Sequence, residues 1–324
     1  MKAIRIHQFG PTEEVLQYED VPLPFPGAQE LLVKVEAASL NRADLGLRRG
    51  SYRVAPEDLP IIPGRELAGT VASVGSEVQG FQVGQRVVSQ PGKGGYAEYA
   101  VAKTVQTLPV PEGVESVAAA AMPTVFLTAW FALVEDAGMR LGDQVLIQAG
   151  GSGVGIAAIQ IAKHVGAKVI TTAGTDEKCR RLHRLGADET INYTVKDFAQ
   201  EVLRFTRGQG ADIVLEMLGG GVYTKSLEVL APGGRLVSIG GAVGPVPDSP
   251  SSLTEGRRAS RFSITSHLLS HPEDFKQLDT FLGLVREQRF QVVIGRTFPL
   301  EEARAAQRYL EGREHFGKVV LTMQ

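Results

Sequence analysis

The sequence predicts an α/β protein in two parts, a β-rich domain and a doubly wound parallel sheet. Three observations carry this. A short apolar run, Val145 to Ile147, leads into the turn Gly150-Gly151-Ser152-Gly153-Val154-Gly155 and then a helical pattern with Ile156, Ile159 and Val165 in phase. Strands buried on both faces read as unbroken apolar runs, and a turn of this kind aims backbone N–H groups and the positive helix end at a phosphate. Strand–helix alternation then continues as far as Arg235-Leu236-Val237-Ser238-Ile239-Gly240-Gly241, as a doubly wound sheet requires. Residues 1 to 122 show no such alternation and hold short strand-like runs between turn residues instead.

In chain order, Met1 to Ile6 reads as an opening strand, and Pro22, Pro24, Pro26 and Gly27 mark a loop. Runs at 31–35, 67–74 and 85–88 read as strands separated by Gly75-Ser76, Gly80 and Pro91-Gly92. Ala118 to Val134 is apolar and helical, interrupted by Pro123, and carries the chain into the second domain. There, strands are expected near 144–148, 168–172, 189–191, 212–216, 234–239 and 262–265. Helices should start near 153, 176, 196, 221 and 274. A helix over 300–310 and a strand over 318–322 close the chain and should return to the first domain. The expected division is 1–122, completed by 267–324, and 123–266.

Composition excludes several classes. The 324 residues carry 34 Lys plus Arg against 36 Asp plus Glu, which gives no electrostatic case for nucleic acid or a membrane surface. Arg257, Arg258 and Arg261 form a local basic cluster, read as a solvated loop or a contact for a phosphate-bearing ligand. A single cysteine, Cys179, excludes an intrachain disulfide and a cysteine zinc cage. No signal peptide or membrane-length apolar run is seen, so a cytoplasmic protein is expected. The glycine turn lacks Gly at 152 for a full G-x-G-x-x-G fingerprint. It also lacks Gly at 154 for a hydrolase elbow around Ser152. His267 and His271 lie four apart, but Leu268 stands where a metalloprotease helix needs Glu, and both read as packing or surface residues.

Several stretches together resemble one family: Asn41-Arg42-Ala43-Asp44, Pro63-Gly64-Arg65-Glu66-Leu67-Ala68-Gly69, Val83-Gly84-Gln85-Arg86-Val87, Gly94-Gly95-Tyr96-Ala97-Glu98-Tyr99, Leu127-Thr128-Ala129, the turn at 148–155 and Gly317-Lys318-Val319-Val320-Leu321. Their order and spacing resemble the medium-chain dehydrogenase/reductase superfamily, in its zinc-free quinone oxidoreductase branch. That resemblance implies a GroES-like catalytic domain, a Rossmann domain and a cleft between them. Zinc-using relatives place Cys where this chain has Asn41 and His where it has Arg65, with a third ligand near Thr124. Asn and Arg cannot replace thiolate and imidazole, so no metal is expected.

The second strand ends Val169-Ile170-Thr171-Thr172-Ala173, with Ala173 where an NAD-preferring domain carries its ribose-binding acid. Lys178 follows within the next helix. The resemblance implies NADPH, held by Gly174, Thr175, Lys178 and Tyr193 at its adenosine end and by Ser152, Gly153 and Val154 at its phosphates. Thr128, Gly240, Gly241 and Ala242 should border the nicotinamide, and Arg313 should return a basic group to the cofactor. Without a Lewis acid the expected acceptor is already electrophilic, a quinone or conjugated carbonyl compound, whose developing oxyanion needs only hydrogen-bond donors. Asn41, Tyr52 and Arg65 are the candidates. An enoyl-thioester or alkenal reductase, for which Arg48-Arg49 could help bind a carrier phosphate, and a non-catalytic NADPH-binding protein remain alternatives. A homodimer is expected, because Phe262-Ser263-Ile264-Thr265 alternates like an edge strand in need of cover.

Overall fold

The computed structural model describes residues 1–52, 54–247 and 253–323. In chain order its strands begin with β1 (Lys2–Ile6), β2 (Leu16–Asp20), β3 (Glu30–Ser39), β4 (Leu67–Val74), β5 (Arg86–Ser89), β6 (Tyr99–Lys103) and β7 (Thr107–Pro109). Then come β8 (Gln144–Ile147), β9 (Lys168–Ala173), β10 (Glu189–Asn192), β11 (Ala211–Glu216), β12 (Leu230–Ser238) and β13 (Arg258–Arg261), and last β14 (Ile294–Pro299) and β15 (Lys318–Thr322). The chain forms two compact units. One holds Met1–Thr124 with Leu268–Gln324, the other Val125–His267.

In the first unit a seven-stranded sheet runs β14-β15-β3-β4-β5-β7, with β6 also paired to β3, and β1 and β2 form a separate antiparallel pair. Alternate residues of β3 and β4 bury Leu31, Val33, Val35, Leu67 and Val71 in one core with Ile4, Ile6, Val319 and Leu321. The last strand is therefore part of the core of the first unit. Antiparallel pairing of β15 with β3, continued by Leu40 N–H to Val319 O at 2.9 Å, brings Lys318 to the turn after β3.

The second unit is a six-stranded parallel sheet of order β10-β9-β8-β11-β12-β13. Strand order reverses between β8 and β11, the point where doubly wound sheets open a crevice at their carboxyl ends. Val145, Leu146 and Ile147 of β8 are fully buried, as an apolar run in mid-sheet should be.

Several boundaries differ from expectation. The outer strand is Arg258–Arg261, and Phe262 to Thr265 is not a strand, since Ile264 opens the helix Ile264–Ser270. Ser263 Oγ accepts the Ser266 N–H at 3.4 Å, a helix start that outweighs the alternation of four residues. The outermost strand of this sheet, where the homodimer was expected to meet, is therefore Arg258–Arg261 and not 262–265. As expected, the helical stretch is interrupted at Pro123: one helix ends at Ala120 (Ser116–Ala120), and Pro123 opens the next, Pro123–Trp130, where its missing N–H costs nothing. The helix placed near 196 starts at Phe198, because Asp197 caps it by accepting Ala199 N–H at 2.9 Å. Among the described residues no helix is long and apolar enough to cross a membrane.

Candidate functional site

In the first unit, the residues expected to meet an acceptor lie on a buried charged cluster. Asn41 precedes the short helix Arg42–Arg48, and its backbone N–H donates to Asp44 Oδ2 at 2.7 Å. Its side-chain Nδ2 donates to Glu66 Oε1 at 2.7 Å, and its Oδ1 accepts from Lys318 Nζ at 2.8 Å. Glu66 is fully buried just ahead of β4. Its Oε1 also accepts from Ser39 Oγ at 2.6 Å and from Lys318 Nζ at 3.0 Å, and its Oε2 from Thr124 N–H at 2.6 Å. Burial alone would push the Glu66 carboxyl up. The Lys318 ammonium and these hydrogen bonds outweigh it and hold the group below the ordinary range. The third N–H of Lys318 goes to Leu40 O at 2.8 Å, so the ammonium is fully bonded.

Arg65 is buried beside this cluster. Its Nη1 donates to Tyr52 Oη at 3.3 Å, and the guanidinium lies 5.2 Å from the centre of the Tyr52 ring. A guanidinium only donates, so the phenol oxygen accepts here, with the positive charge over its ring. Asp44, wholly buried, is pushed up to about 6 by that burial, against the pull of Arg65 and the Asn41 N–H. Its Oδ2 also accepts from the buried Tyr96 hydroxyl at 3.1 Å. Thus Asn41, Tyr52 and Arg65 belong to one neighbourhood. Glu66 and Lys318, which sequence reasoning treated only as fingerprint residues, supply its central ion pair.

Arg48 and Arg49 do not form an open basic surface. Arg48 is entirely buried, donating to Gln307 Oε1 at 2.9 Å, Pro11 O at 2.6 Å and Glu311 Oε2 at 3.0 Å, and Arg49 pairs with Glu311 as well. Arg48 ties the helix it ends to the tail helix Ala303–Glu311, which removes it from the residues that could meet a carrier phosphate. Arg313 lies in this unit too, exposed beyond that tail helix, with a left-handed φ of 61°.

In the second unit the turn after β8 is held from β9. Thr172 Oγ1 accepts Ala149 N–H at 3.1 Å and donates to Gln148 Oε1 at 2.7 Å, and Gly150 N–H donates to Thr172 O at 2.9 Å. A Cβ on Gly150 would meet Thr171 Oγ1 at 2.1 Å, and one on Gly155 would meet Ala149 O at 2.6 Å. Close packing therefore demands glycine at both. Ser152, where the fingerprint would have glycine, caps the helix Gly153–Val165 by accepting Gly155 N–H at 3.0 Å. Ser152, Gly153 and Val154 therefore form the N-terminal end of a 13-residue helix, the kind of end that receives phosphate.

The end of β9 carries Gly174 and Thr175. Thr175 Oγ1 accepts Lys178 N–H at 3.2 Å and opens the helix Asp176–Arg184. Tyr193, half exposed after β10, packs against Gly174, and Ala173 O accepts its N–H at 3.1 Å. Asp176, the nearest acid, is engaged by Asn192 Nδ2 at 2.7 Å. At the carboxyl end of β12, Gly240, Gly241 and Ala242 meet the loop after β11. Ala242 N–H donates to Met217 O at 3.2 Å, and Glu216 Oε1 holds that loop through Leu218 N–H at 2.6 Å and Gly219 N–H at 2.8 Å. Ser152 Oγ lies 3.4 Å from Met217 Sδ, which joins this loop to the phosphate turn. Thr128 is buried in the helix Pro123–Trp130. A cavity of about 470 Å³ in this unit is lined by Cys179, Arg180, His183, Arg184 and Lys196 among others, and by none of the residues expected to bind cofactor.

Comparison with known proteins agrees with this architecture. Residues 27–112 match the alcohol dehydrogenase GroES-like domain, and residues 185–321 match a family described as zinc-binding dehydrogenase. The chain is 34% identical over its full length to quinone oxidoreductase of Sus scrofa, covering 98% of that protein. Among solved structures, an NAD-dependent alcohol dehydrogenase is 36% identical with a TM-score of 0.90, each chain covered in full. The Escherichia coli quinone oxidoreductase complexed with NADPH is 28% identical with a TM-score of 0.91, over 99% of this chain and 100% of that one.

The zinc named in one family description does not fit the residues present. Asn41 and Arg65, where the resemblance places zinc ligands, are an amide and a guanidinium, and Thr124, near the third, is a hydroxyl. The ammonium of Lys318 already bonds the Asn41 and Glu66 oxygens that a cation there would need.

Proposed function

Because the chain belongs to the quinone oxidoreductase family of medium-chain dehydrogenases/reductases, and is therefore an oxidoreductase, we propose that it reduces quinones and other conjugated carbonyl compounds with NADPH and without zinc. The observation that carries this reading is the cluster of Asn41, Glu66 and Lys318 beside Arg65 and Tyr52. It offers hydrogen-bond donors and positive charge but no metal-ligand set. Such a cluster can stabilise an oxyanion that forms readily, as on a quinone or enone. An unactivated ketone or alcohol needs a Lewis acid.

The second unit has residues that fit a dinucleotide. Ser152, Gly153 and Val154 would hold its phosphates at the helix end, and Gly174, Thr175, Lys178 and Tyr193 its adenosine. Thr128, Gly240, Gly241 and Ala242 would border the nicotinamide, which supplies a hydride when bound. The preference for NADPH rests on Ala173 ending β9, on the engagement of Asp176 by Asn192, and on Lys178 in the helix that follows. On the acceptor, Tyr52 would hold a proton at Oη for the developing oxyanion, with the Arg65 guanidinium bonded to that oxygen, and Asn41 would add an N–H.

Initial rates with NADPH and NADH against a quinone, an enal, an enoyl thioester and a saturated secondary alcohol test the reading. Fast reduction of the quinone or enal with NADPH is expected. Rapid turnover of the saturated alcohol would overturn the reading, and no turnover of any acceptor would point to a non-catalytic NADPH-binding protein.

A further inference from the structure

We propose that Lys318 and Glu66 are positioning residues that hold the Asn41 amide one way round. The proposal rests on the reading of Asn41 as a donor to the acceptor's oxygen. An ammonium can only donate and a carboxylate can only accept. Lys318 Nζ, 2.8 Å from Asn41 Oδ1, and Glu66 Oε1, 2.7 Å from Asn41 Nδ2, therefore accept a single orientation of the amide. A flipped amide would set NH₂ against NH₃⁺ and oxygen against carboxylate. Both charged groups are out of solvent, Glu66 at 0% and Lys318 at 5% exposure, where such a mismatch is heavily penalised.

The pair is itself anchored. Ser39 Oγ and Thr124 N–H fix the carboxylate, and Leu40 O takes the remaining ammonium proton. One N–H of Asn41 Nδ2 is committed to Glu66. The other then has a fixed direction, because the planar amide cannot turn without breaking both contacts. Preorganised donors of this kind cost no reorientation when charge develops. An Asn in a loop, without such partners, would have to pay for its orientation at each turnover.

The test is a set of variants of the full-length protein, assayed with NADPH and benzoquinone: Asn41→Ala, Lys318→Met, the Asn41→Ala/Lys318→Met double and the Glu66→Gln/Lys318→Met double. The last removes both buried charges together, so it should fold even if Lys318→Met alone, which strands the carboxylate, does not. Loss of positioning should lower kcat roughly tenfold or more in the lysine variants that fold, with KM for NADPH within about twofold of wild type. On an Asn41→Ala background Lys318→Met should add little, because the residue it positions is gone. Where Lys318→Met does not fold, the same comparison is made by adding Asn41→Ala to Glu66→Gln/Lys318→Met. Wild-type kcat in folded Glu66→Gln/Lys318→Met, with Asn41→Ala impaired, would overturn the positioning role alone. So would losses that multiply on combination with Asn41→Ala. Wild-type kcat in Asn41→Ala would overturn the reading of Asn41 and this proposal with it.

Discussion

The hydroxyl of Tyr193 lies so close to Gly174 that a Cβ there would meet it at 2.8 Å. The contact sets an aromatic ring at the end of β9, beside the helix that carries Lys178. If this corner receives a 2′-phosphate, Lys178→Ala should cost on the order of 1.5–3 kcal/mol of NADPH selectivity, read from kcat/KM for the two cofactors. Gly174→Ala should displace the ring and raise KM for NADPH more than it lowers kcat. A wild-type enzyme that prefers NADH would sink this assignment.

Tyr52 can be separated from the walls of its surroundings by chemistry. Tyr52→Phe should lower kcat for an enone by roughly 10²-fold or less and leave NADPH affinity nearly unchanged. A quinone should suffer less, since a hydroquinone anion is a more stable product than an enolate. Equal losses on both acceptors, or none, would reduce Tyr52 to a packing role.

Metal analysis of purified protein should give substoichiometric zinc, and prolonged chelation should leave quinone reduction intact. The donor set at 41, 65 and 124 and the ammonium of Lys318 lead to this expectation. Stoichiometric zinc that survives dialysis, with activity lost on its removal, would contradict it.

Asp44 gives a pH signature in stability. Its carboxyl, pushed up to about 6 from an ordinary 3.8, binds its proton more tightly in the folded chain than in the unfolded one. Its contribution is therefore fully present below pH 3.8 and is lost as pH rises through about 6. Glu66 slopes the other way. Despite its burial it is held low by Lys318, so its contribution is present above 4.5 and lost as pH falls below that. Asp44→Asn should gain stability relative to wild type between pH 4 and pH 7, on the order of 2 kcal/mol, in urea titrations at the two pH values. An unchanged difference between them would show that Asp44 binds its proton no more tightly in the folded chain than in the unfolded one.

Much of the second unit could be read from the sequence because its signals are local. An apolar strand, a crowded glycine turn and a helix cap sit within one stretch, from Val145 to Val165. The outer strand could not be read this way. Arg258–Arg261 has no apolar run, and the alternation just after it belongs to a helix start. In the first unit, Asn41, Arg65 and Tyr52 were named through resemblance and chemistry, but Glu66 and Lys318, which bond Asn41, were not. Glu66 and Lys318 are 252 residues apart, and no spacing rule joins a glutamate before one strand to a lysine opening another. Arg48 misled for the same reason. Its partners Gln307 and Glu311 lie far along the chain, so a buried tie read as an open charge.

The place of β15 in the sheet of the first unit has a consequence for how the chain is made. β3 emerges from the ribosome well before its neighbour β15. All six strands of the parallel sheet are translated before β15, so the second unit can fold while the first waits with an open sheet edge. Through that interval the Glu66 carboxylate has no ammonium to meet, and burying it would be costly. A nascent chain arrested before Lys318 should therefore resist protease across 125–267 and remain cleavable across 1–124.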